Sequence, residues 1–189
     1  MKKFYPLLTF LALFIFGQFF AFGQTETGYK FDIIKQLKTT PIKDQQRTGT
    51  CWSYATTSFI ETELLRMGKP EVILSPMFFV RYAYNKKAER YVRFHGTNNF
   101  GQGGQAHNVF DVVKTFGFIP EKFYAGNNYG EDQHVHSEFE AVLSSMLDAV
   151  IKNKNRSLST AWKPAFESVV NSYLGEVPAE FTFEGKKYS

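Results

Sequence analysis

The feature that most constrains this chain is its single cysteine, Cys51, which lies where a turn-rich loop meets a helical pattern. One cysteine has no intramolecular partner, so no disulfide can hold this fold together. There is no Cys-x-x-Cys pair, which excludes thioredoxin-type redox chemistry, and no second cysteine for a zinc cage. Cys51 is therefore either an inert buried residue or a thiol kept for its reactivity.

The chain is long and apolar enough to form one domain with a sizeable core. It has 189 residues, of which 43% are hydrophobic and 17% aromatic. These values are typical of globular proteins rather than disordered ones. The formal net charge is +4, and it falls to +2 if Lys2 and Lys3 are removed with an N-terminal signal, which is too mild to indicate a nucleic-acid partner. The basic aromatic stretch RYAYNKKAERYVRF is better explained as a solvated helix face.

Residues 1–23 have the layout of a bacterial-type secretory signal peptide. Lys2 and Lys3 precede a short apolar run, and Ala21-Phe22-Gly23 supplies small residues before a cut at Gln24. The alternative is a membrane anchor, but a spanning helix needs about 20 apolar residues and this run is shorter. We therefore expect no stable membrane anchor, a mature chain of 24–189, and a periplasmic or extracellular location.

Most of the remaining chain is predicted to be helical. Ser75 and Pro76 are a good N-cap and a good first helical residue. The apolar spacing predicts helices over 51–67, from 76 to about 90, and over 105–116, 137–152 and 164–174. The first helix is expected to bury Trp52, Ala55, Phe59, Leu64 and Met67, and the third Ala106, Val109, Phe110, Val113 and Phe116. The tail reads as extended, because Phe181 and Phe183 alternate with polar residues.

Cys51 is the first residue of its predicted helix and follows Gly49 and Thr50. The unpaired N–H groups at a helix start stabilise a thiolate, which is the nucleophilic form of cysteine. Gln45 lies six residues earlier, across a tight loop. Its amide can fold back and, together with the Cys51 N–H, hold the oxygen of a tetrahedral intermediate. The alternative is a small core cysteine at a helix start.

The segment DQQRTGTCWSYA resembles the nucleophile segment of papain-like cysteine peptidases, in which Gln is followed after five residues by Cys-Trp. It departs from papain at Thr48, where papain has a disulfide cysteine. The segments LSPMFFVRY, GGQAHNVFDVVKTFGFIPEKFY and YLGEVPAEFTFEGKKY are similar to the bleomycin hydrolase and aminopeptidase C branch, which also lacks that disulfide. The resemblance implies an α+β papain-like fold, of which 24–189 is the mostly helical, nucleophile-bearing lobe without its β-rich partner lobe.

The resemblance also implies roles for five residues. Cys51 falls on the family's nucleophile and Gln45 on its oxyanion glutamine. Gly103 and Gly104 match the glycine pair beside the cleft, where a substrate backbone can approach closely. Trp52 belongs to the same substrate-binding region. The family implies no cofactor and no metal ion.

The catalytic base is not evident among the four histidines of the chain. His107 and Asn108 are consecutive on a helix, so their side chains diverge by about 100° and Asn108 cannot orient His107. His95 sits in a basic aromatic patch that is expected at the surface. His134 and His136 lie near Glu131 and Asp132 and could loosely bind a metal ion, but a solvated loop is favoured. The resemblance places the family's base and asparagine further downstream, so the chain is expected to stop before both.

Two functions of different class follow from these observations. The first is a fragment of a secreted cysteine peptidase, resembling an aminopeptidase, that acts on peptides. The second is an inactive chain that only binds peptides or a partner. The retention of both Gln45 and Cys51 favours the first. Relatives in that branch assemble as hexamers with their own C-terminus in the active site, so a homo-oligomer is expected for the full-length protein.

Overall fold

The computed structural model describes residues 28–154 and 157–189. The chain divides into two units, residues 1–36 and 37–189. In the first unit the described residues, 28–36, contain no helix or strand. The predicted signal peptide, residues 1–23, lies outside the described residues. None of the helices in the described ranges is both long and apolar enough to cross a membrane.

The second unit is mostly helical, as predicted. Its described part contains five α-helices and a two-stranded sheet. The elements are α1 (Cys51–Arg66), α2 (Pro76–Arg93), α3 (Ala106–Phe116), α4 (Ser137–Ile151), α5 (Trp162–Leu174), β1 (Phe181–Phe183) and β2 (Lys186–Tyr188). All five helices occur where the apolar spacing predicted them, and the helix ends differ from the prediction by at most three residues.

Local signals in the sequence explain several helix ends. Ser75 caps α2, because its hydroxyl accepts a hydrogen bond from the Phe78 N–H at 3.1 Å, and Pro76 is the first helical residue. Gln105 and Asn108 form a reciprocal capping box at the start of α3. Gly117 ends α3 at a positive φ of 74°, a conformation that glycine adopts without strain.

The core is built around α2, which contacts α1, α3, α4 and α5. Aromatic side chains supply much of its volume, since Phe79, Tyr84 and Phe139 are all fully buried. The rings of Tyr84 and Phe139 meet edge to face, with centroids 5.0 Å apart. Because α2, which carries Phe79 and Tyr84, contacts all four other helices, it fixes their relative positions.

The predicted apolar face of α1 is partly wrong, because Trp52 is buried but three of the other expected residues are exposed. Ala55 is exposed, and Phe59 and Met67 are 55% and 59% exposed. The buried side of α1 consists instead of Trp52, Ser53, Tyr54, Thr56, Thr57 and Glu61. Small hydroxyl side chains can be buried here because they donate to backbone carbonyls. Ser53 Oγ donates to the Pro76 oxygen at 2.7 Å, and Thr57 Oγ1 donates to the Ser53 oxygen at 2.7 Å.

The predicted apolar face of α3 is partly wrong. Val109 and Val112 are fully buried, whereas Ala106 is exposed and Phe110 is 38% exposed. The buried stripe is therefore rotated by about one residue relative to the prediction. Phe116 stays half exposed because its ring stacks on Tyr82 of α2 at the surface, with centroids 4.1 Å apart.

The tail forms a β-hairpin rather than a single extended segment. β1 and β2 pair antiparallel, with Phe181 opposite Tyr188 and their rings stacked at 5.2 Å. The two turn residues, Glu184 and Gly185, both have positive φ, at 48° and 74°. This conformation suits the right-handed twist of a tight hairpin.

Candidate active site

Cys51 lies at the N-terminus of α1 with its thiol exposed and unpaired. Thr50, the residue before it, is fully buried, and its carbonyl accepts from the Ser53 and Tyr54 N–H groups at 2.9 and 3.3 Å. The start of α1 is therefore anchored immediately before the cysteine. Because the thiol is exposed, Cys51 is not the small core cysteine that was the alternative interpretation.

The loop that leads to Cys51 is held by its own side chains. Gln45 Nε2 donates to the Thr48 carbonyl at 2.5 Å, and Thr48 Oγ1 donates to the Gln45 carbonyl at 2.9 Å. The hydroxyls of Thr48 and Thr50 share a further hydrogen bond of 2.5 Å. An amide nitrogen has two N–H groups, so the bond to Thr48 fixes the Gln45 amide while using one of them. Thr48 is 8% exposed and fastens this loop by hydrogen bonds.

The glycine-rich loop, residues 98–105, docks directly beside Cys51. Trp52 Nε1 donates to the Gln102 carbonyl at 2.8 Å, and the Gly49 N–H donates to Gln102 Oε1 at 2.6 Å. Gly104 lies against the Trp52 indole, because a Cβ at this position would come within 2.6 Å of Trp52 Cε2. The structure thus brings Trp52, the residue after Cys51, and Gly104 into direct contact.

Two charged residues from neighbouring helices support the glycine-rich loop. Lys87 of α2 donates to the carbonyls of Gly101 and Gly103 at 3.1 and 2.5 Å. Glu140 of α4 accepts from Gln102 Nε2 at 2.7 Å and from the Gln102 N–H at 3.3 Å. Both loop carbonyls that flank Gln102 are therefore tied to α2, and Gln102 itself is tied to α4.

Burial changes the ionisation of Lys87. Its ammonium lies 5.1 Å from the centre of the Trp52 ring and 5.5 Å from that of Tyr84. Desolvation lowers the pKa of Lys87 to about 8, although the negative charge of Glu140 opposes this shift. Sequence analysis missed Lys87, Gln102 and Glu140, and it assigned the basic stretch around Lys87 to a solvated helix face. That assignment is wrong for Lys87, which is half-buried.

The histidines do not contribute to this site in the described part of the chain. His95 and His107 are exposed, and no hydrogen bond links a described histidine to Cys51. Asn108 uses its side chain to cap α3, with Oδ1 accepting from the Gln105 N–H at 2.9 Å. It therefore does not orient His107, as the sequence predicted.

The expectation that His134 and His136 lie in a solvated loop is wrong. Residue 135 forms a parallel bridge with Arg47, and the Arg47 N–H donates to the His134 carbonyl at 3.0 Å. His136 precedes α4 and is 1% exposed. Burial and the neighbouring His134 lower the pKa of His136 to about 4. This segment is buried because it packs against the loop that leads to Cys51.

An exposed thiol at a helix start, beside a docked glycine-rich loop, is an arrangement suited to a thiol peptidase. Comparison with family models gives a match to "Papain family cysteine protease" over residues 28–172. The chain therefore belongs to the papain family of cysteine proteases. A search of curated proteins found no match.

A solved structure supports the same fold. The structure of PepW from Lactobacillus rhamnosis HN001 superposes with a TM-score of 0.60 at 16% sequence identity. The match covers 80% of this chain and 41% of PepW, so this chain spans less than half the length of that protein. The predicted fold class is confirmed: the described residues are the mostly helical, nucleophile-bearing part of a papain-like fold.

Proposed function

We propose that this chain carries the nucleophile of a papain-family peptidase and that Cys51 is that nucleophile. The observation that carries the proposal is the exposed Cys51 thiol at the start of α1, beside the docked Gly103-Gly104 pair. A peptide backbone laid along the glycine pair would meet no side chain from it. Trp52 forms the floor under Gly104 and would set the depth of the cleft.

The proposed reaction is acyl transfer. The Cys51 thiolate attacks the carbonyl carbon of the peptide bond, and the oxyanion that forms accepts from the Cys51 N–H and the second N–H of Gln45. The C–N bond then breaks, the amine leaves with a proton from the protonated base, and a thioester remains on Cys51. Water, deprotonated by the same base, hydrolyses the thioester and regenerates the thiol.

We propose that the base and its orienting asparagine come from chain beyond the 189 residues. Two observations support this. His95 and His107 are exposed away from any hydrogen bond to Cys51, and His136 is enclosed in the core. The match to PepW covers only 41% of that protein, which leaves ample length for a second lobe in a papain-like fold.

The finer proposals rest on the sequence resemblance. The segments after the nucleophile helix support the bleomycin hydrolase and aminopeptidase C branch, and therefore aminopeptidase action on peptides and a homohexamer for the full-length protein. The composition of residues 1–23 supports a cleaved signal peptide and a periplasmic or extracellular location. No cofactor and no nucleic-acid partner are proposed.

The test is turnover of fluorogenic aminoacyl and N-blocked peptide substrates by protein extended through the downstream histidine and asparagine. We expect hydrolysis that is abolished in Cys51→Ala, whereas Ala55→Ser, an exposed change one turn along α1, keeps it. Preference for a free N-terminus would support the aminopeptidase assignment. Peptide binding without turnover in both wild type and Cys51→Ala would contradict the proposal and favour the inactive binding chain.

A further inference from the structure

Gln102 occupies an unusual position, because it contacts both sides of Cys51 at once. Its side-chain oxygen accepts from the Gly49 N–H at 2.6 Å, and its backbone carbonyl accepts from Trp52 Nε1 at 2.8 Å. Gly49 precedes the nucleophile and Trp52 follows it. One residue of the glycine-rich loop therefore connects that loop to the chain on either side of Cys51.

The orientation of the Gln102 amide is fixed by Glu140. The Glu140 carboxylate can only accept hydrogen bonds, so it holds Gln102 Nε2, at 2.7 Å, on its own side. Gln102 Oε1 is consequently directed at Gly49. Gly49 and Gln102 lie close together, since a Cβ on Gly49 would lie 2.9 Å from Gln102 Cβ. A carboxylate, an amide and a backbone N–H thus form a chain from α4 to the residue two before the nucleophile.

We propose that Gln102, oriented by Glu140, is a positioning residue that sets the distance and angle between the Cys51 thiol and the Gly103-Gly104 pair. This inference rests on the proposed function, because the position of the Gly103-Gly104 pair matters for catalysis only if a peptide binds along it. Gln102 follows Gly101 and precedes the pair directly, so a shift of its carbonyl or amide moves the pair relative to Cys51. Lys87 limits the remaining freedom, because it holds the carbonyls of Gly101 and Gly103.

An exchange of donor and acceptor tests this role in the 189-residue chain. Gln102→Glu keeps an oxygen for Gly49 but places a second carboxylate against Glu140. The double variant Gln102→Glu/Glu140→Gln restores one donor between the two side chains with the same total charge. The matched control is Asn85→Asp, which replaces another half-buried amide on α2. This amide donates to the Glu167 carboxylate at 2.6 Å and not to the glycine-rich loop.

The measurement is the rate of Cys51 labelling by a peptidyl chloromethyl ketone divided by the rate with iodoacetamide, alongside the melting temperature. Iodoacetamide reports thiol reactivity, whereas the ratio reports alignment of a peptide with the thiol. We expect Gln102→Glu to lower the ratio about tenfold, because the variant loses about one hydrogen bond that positions the glycine-rich loop. The double variant should restore the ratio, and Asn85→Asp should leave it unchanged.

Two results would overturn the proposal and are distinguishable. If wild type prefers the peptidyl reagent but Gln102→Glu keeps that preference, or the double variant fails to restore it, Gln102 is only structural and the proposed function stands. If wild type shows no preference at all, peptide binding at the glycine pair fails and this role fails with it. Should Gln102→Glu not fold, Glu140→Ala, which removes the carboxylate that accepts from Gln102 Nε2 and from the Gln102 N–H, serves in its place with the same expected loss.

Discussion

At the residue scale, several hydrogen-bonding groups near Cys51 are already paired, which limits the donors that remain for an oxyanion. The Gln45 amide is held 2.5 Å from the Thr48 carbonyl, and the Gly49 N–H is already used by Gln102. The second Gln45 N–H and the Cys51 N–H are therefore the donors that we assign to the oxyanion. A rigid amide suits this role, because a donor that is already oriented needs no rearrangement when charge develops.

For Gln45→Ala in the extended, active protein, we expect kcat to fall by about 10²–10³ while KM changes little, since one oxyanion donor is lost only in the transition state. Steady-state kinetics measure both constants. Gln46→Ala is the matched control, because this neighbouring amide accepts from the His134 N–H instead. A fall in kcat of the same size in Gln46→Ala would show that the loop was disturbed as a whole.

His136 gives the folded chain a predictable sensitivity to acid. Neither ring nitrogen has a hydrogen-bond partner among the described residues, and burial lowers its pKa from 6.5 to about 4. The unfolded chain therefore binds the proton first as the pH falls. Stability is complete above about pH 6.5 and declines toward pH 4, with a total loss of roughly 3 kcal/mol. Burial of His134 lowers its pKa too, and this adds a loss of the same sign.

Urea unfolding of the 189-residue chain between pH 7 and pH 4 measures this decline. His136→Phe should flatten the curve, because Phe keeps a ring against Phe139, whose centroid lies 5.5 Å from that of His136, and has no proton to bind. His95→Phe, at an exposed position, controls for loss of an imidazole as such. Parallel curves for wild type and His136→Phe would rule out this source of acid sensitivity.

At the element scale, α1 is unusual because its buried side is largely polar. Glu61 is the residue on this side that most needs hydrogen-bond partners, because its carboxylate is buried. The Glu61 carboxylate is fully buried and accepts from Thr40 Oγ1 at 2.5 Å, Lys43 Nζ at 2.6 Å and the Leu74 N–H at 2.6 Å. These three donors come from the segment before the nucleophile loop and the segment before α2. Glu61 thus ties α1 to the chain on both sides of it.

Lys43→Met should destabilise the fold by about 3–5 kcal/mol, because it leaves the Glu61 charge buried without its cation. Chemical denaturation measures the change. Lys38→Met is the matched control: Lys38 pairs with Glu71 at 3.4 Å, but these side chains are 72% and 45% exposed, so a loss of about 1 kcal/mol or less is expected. The double variant Lys43→Met/Glu61→Gln should recover part of the loss. Equal effects of the two lysine changes would contradict a buried ion pair.

At the scale of the whole molecule, residues 37–189 fold around α2 and present Cys51 at the surface. The described part contains Cys51, the donors that we propose for the oxyanion and the glycine pair, but no histidine within a hydrogen bond of the thiol. We therefore expect no peptidase turnover from the 189-residue chain, and turnover once it is extended through the downstream histidine and asparagine that we propose. Fluorogenic substrates compare the two proteins, and turnover by the short chain that is lost in His107→Ala would contradict this assignment.

The sequence by itself determined where the helices lie and which family the chain belongs to. Apolar spacing, Ser75-Pro76 and the helix-ending glycines act over a few residues, so the bounds of α1 to α5 follow from local physics. The family followed from the Gln-to-Cys-Trp spacing around Cys51. The tertiary structure alone decided which faces are buried. Ser53 and Thr57 can be buried only because carbonyls of α1 and α2 accept from their hydroxyls. His136 is buried only because its segment packs beside Arg47. The contacts of Gln102, Glu140 and Lys87 join residues up to 53 positions apart, and no local pattern encodes such long-range partners.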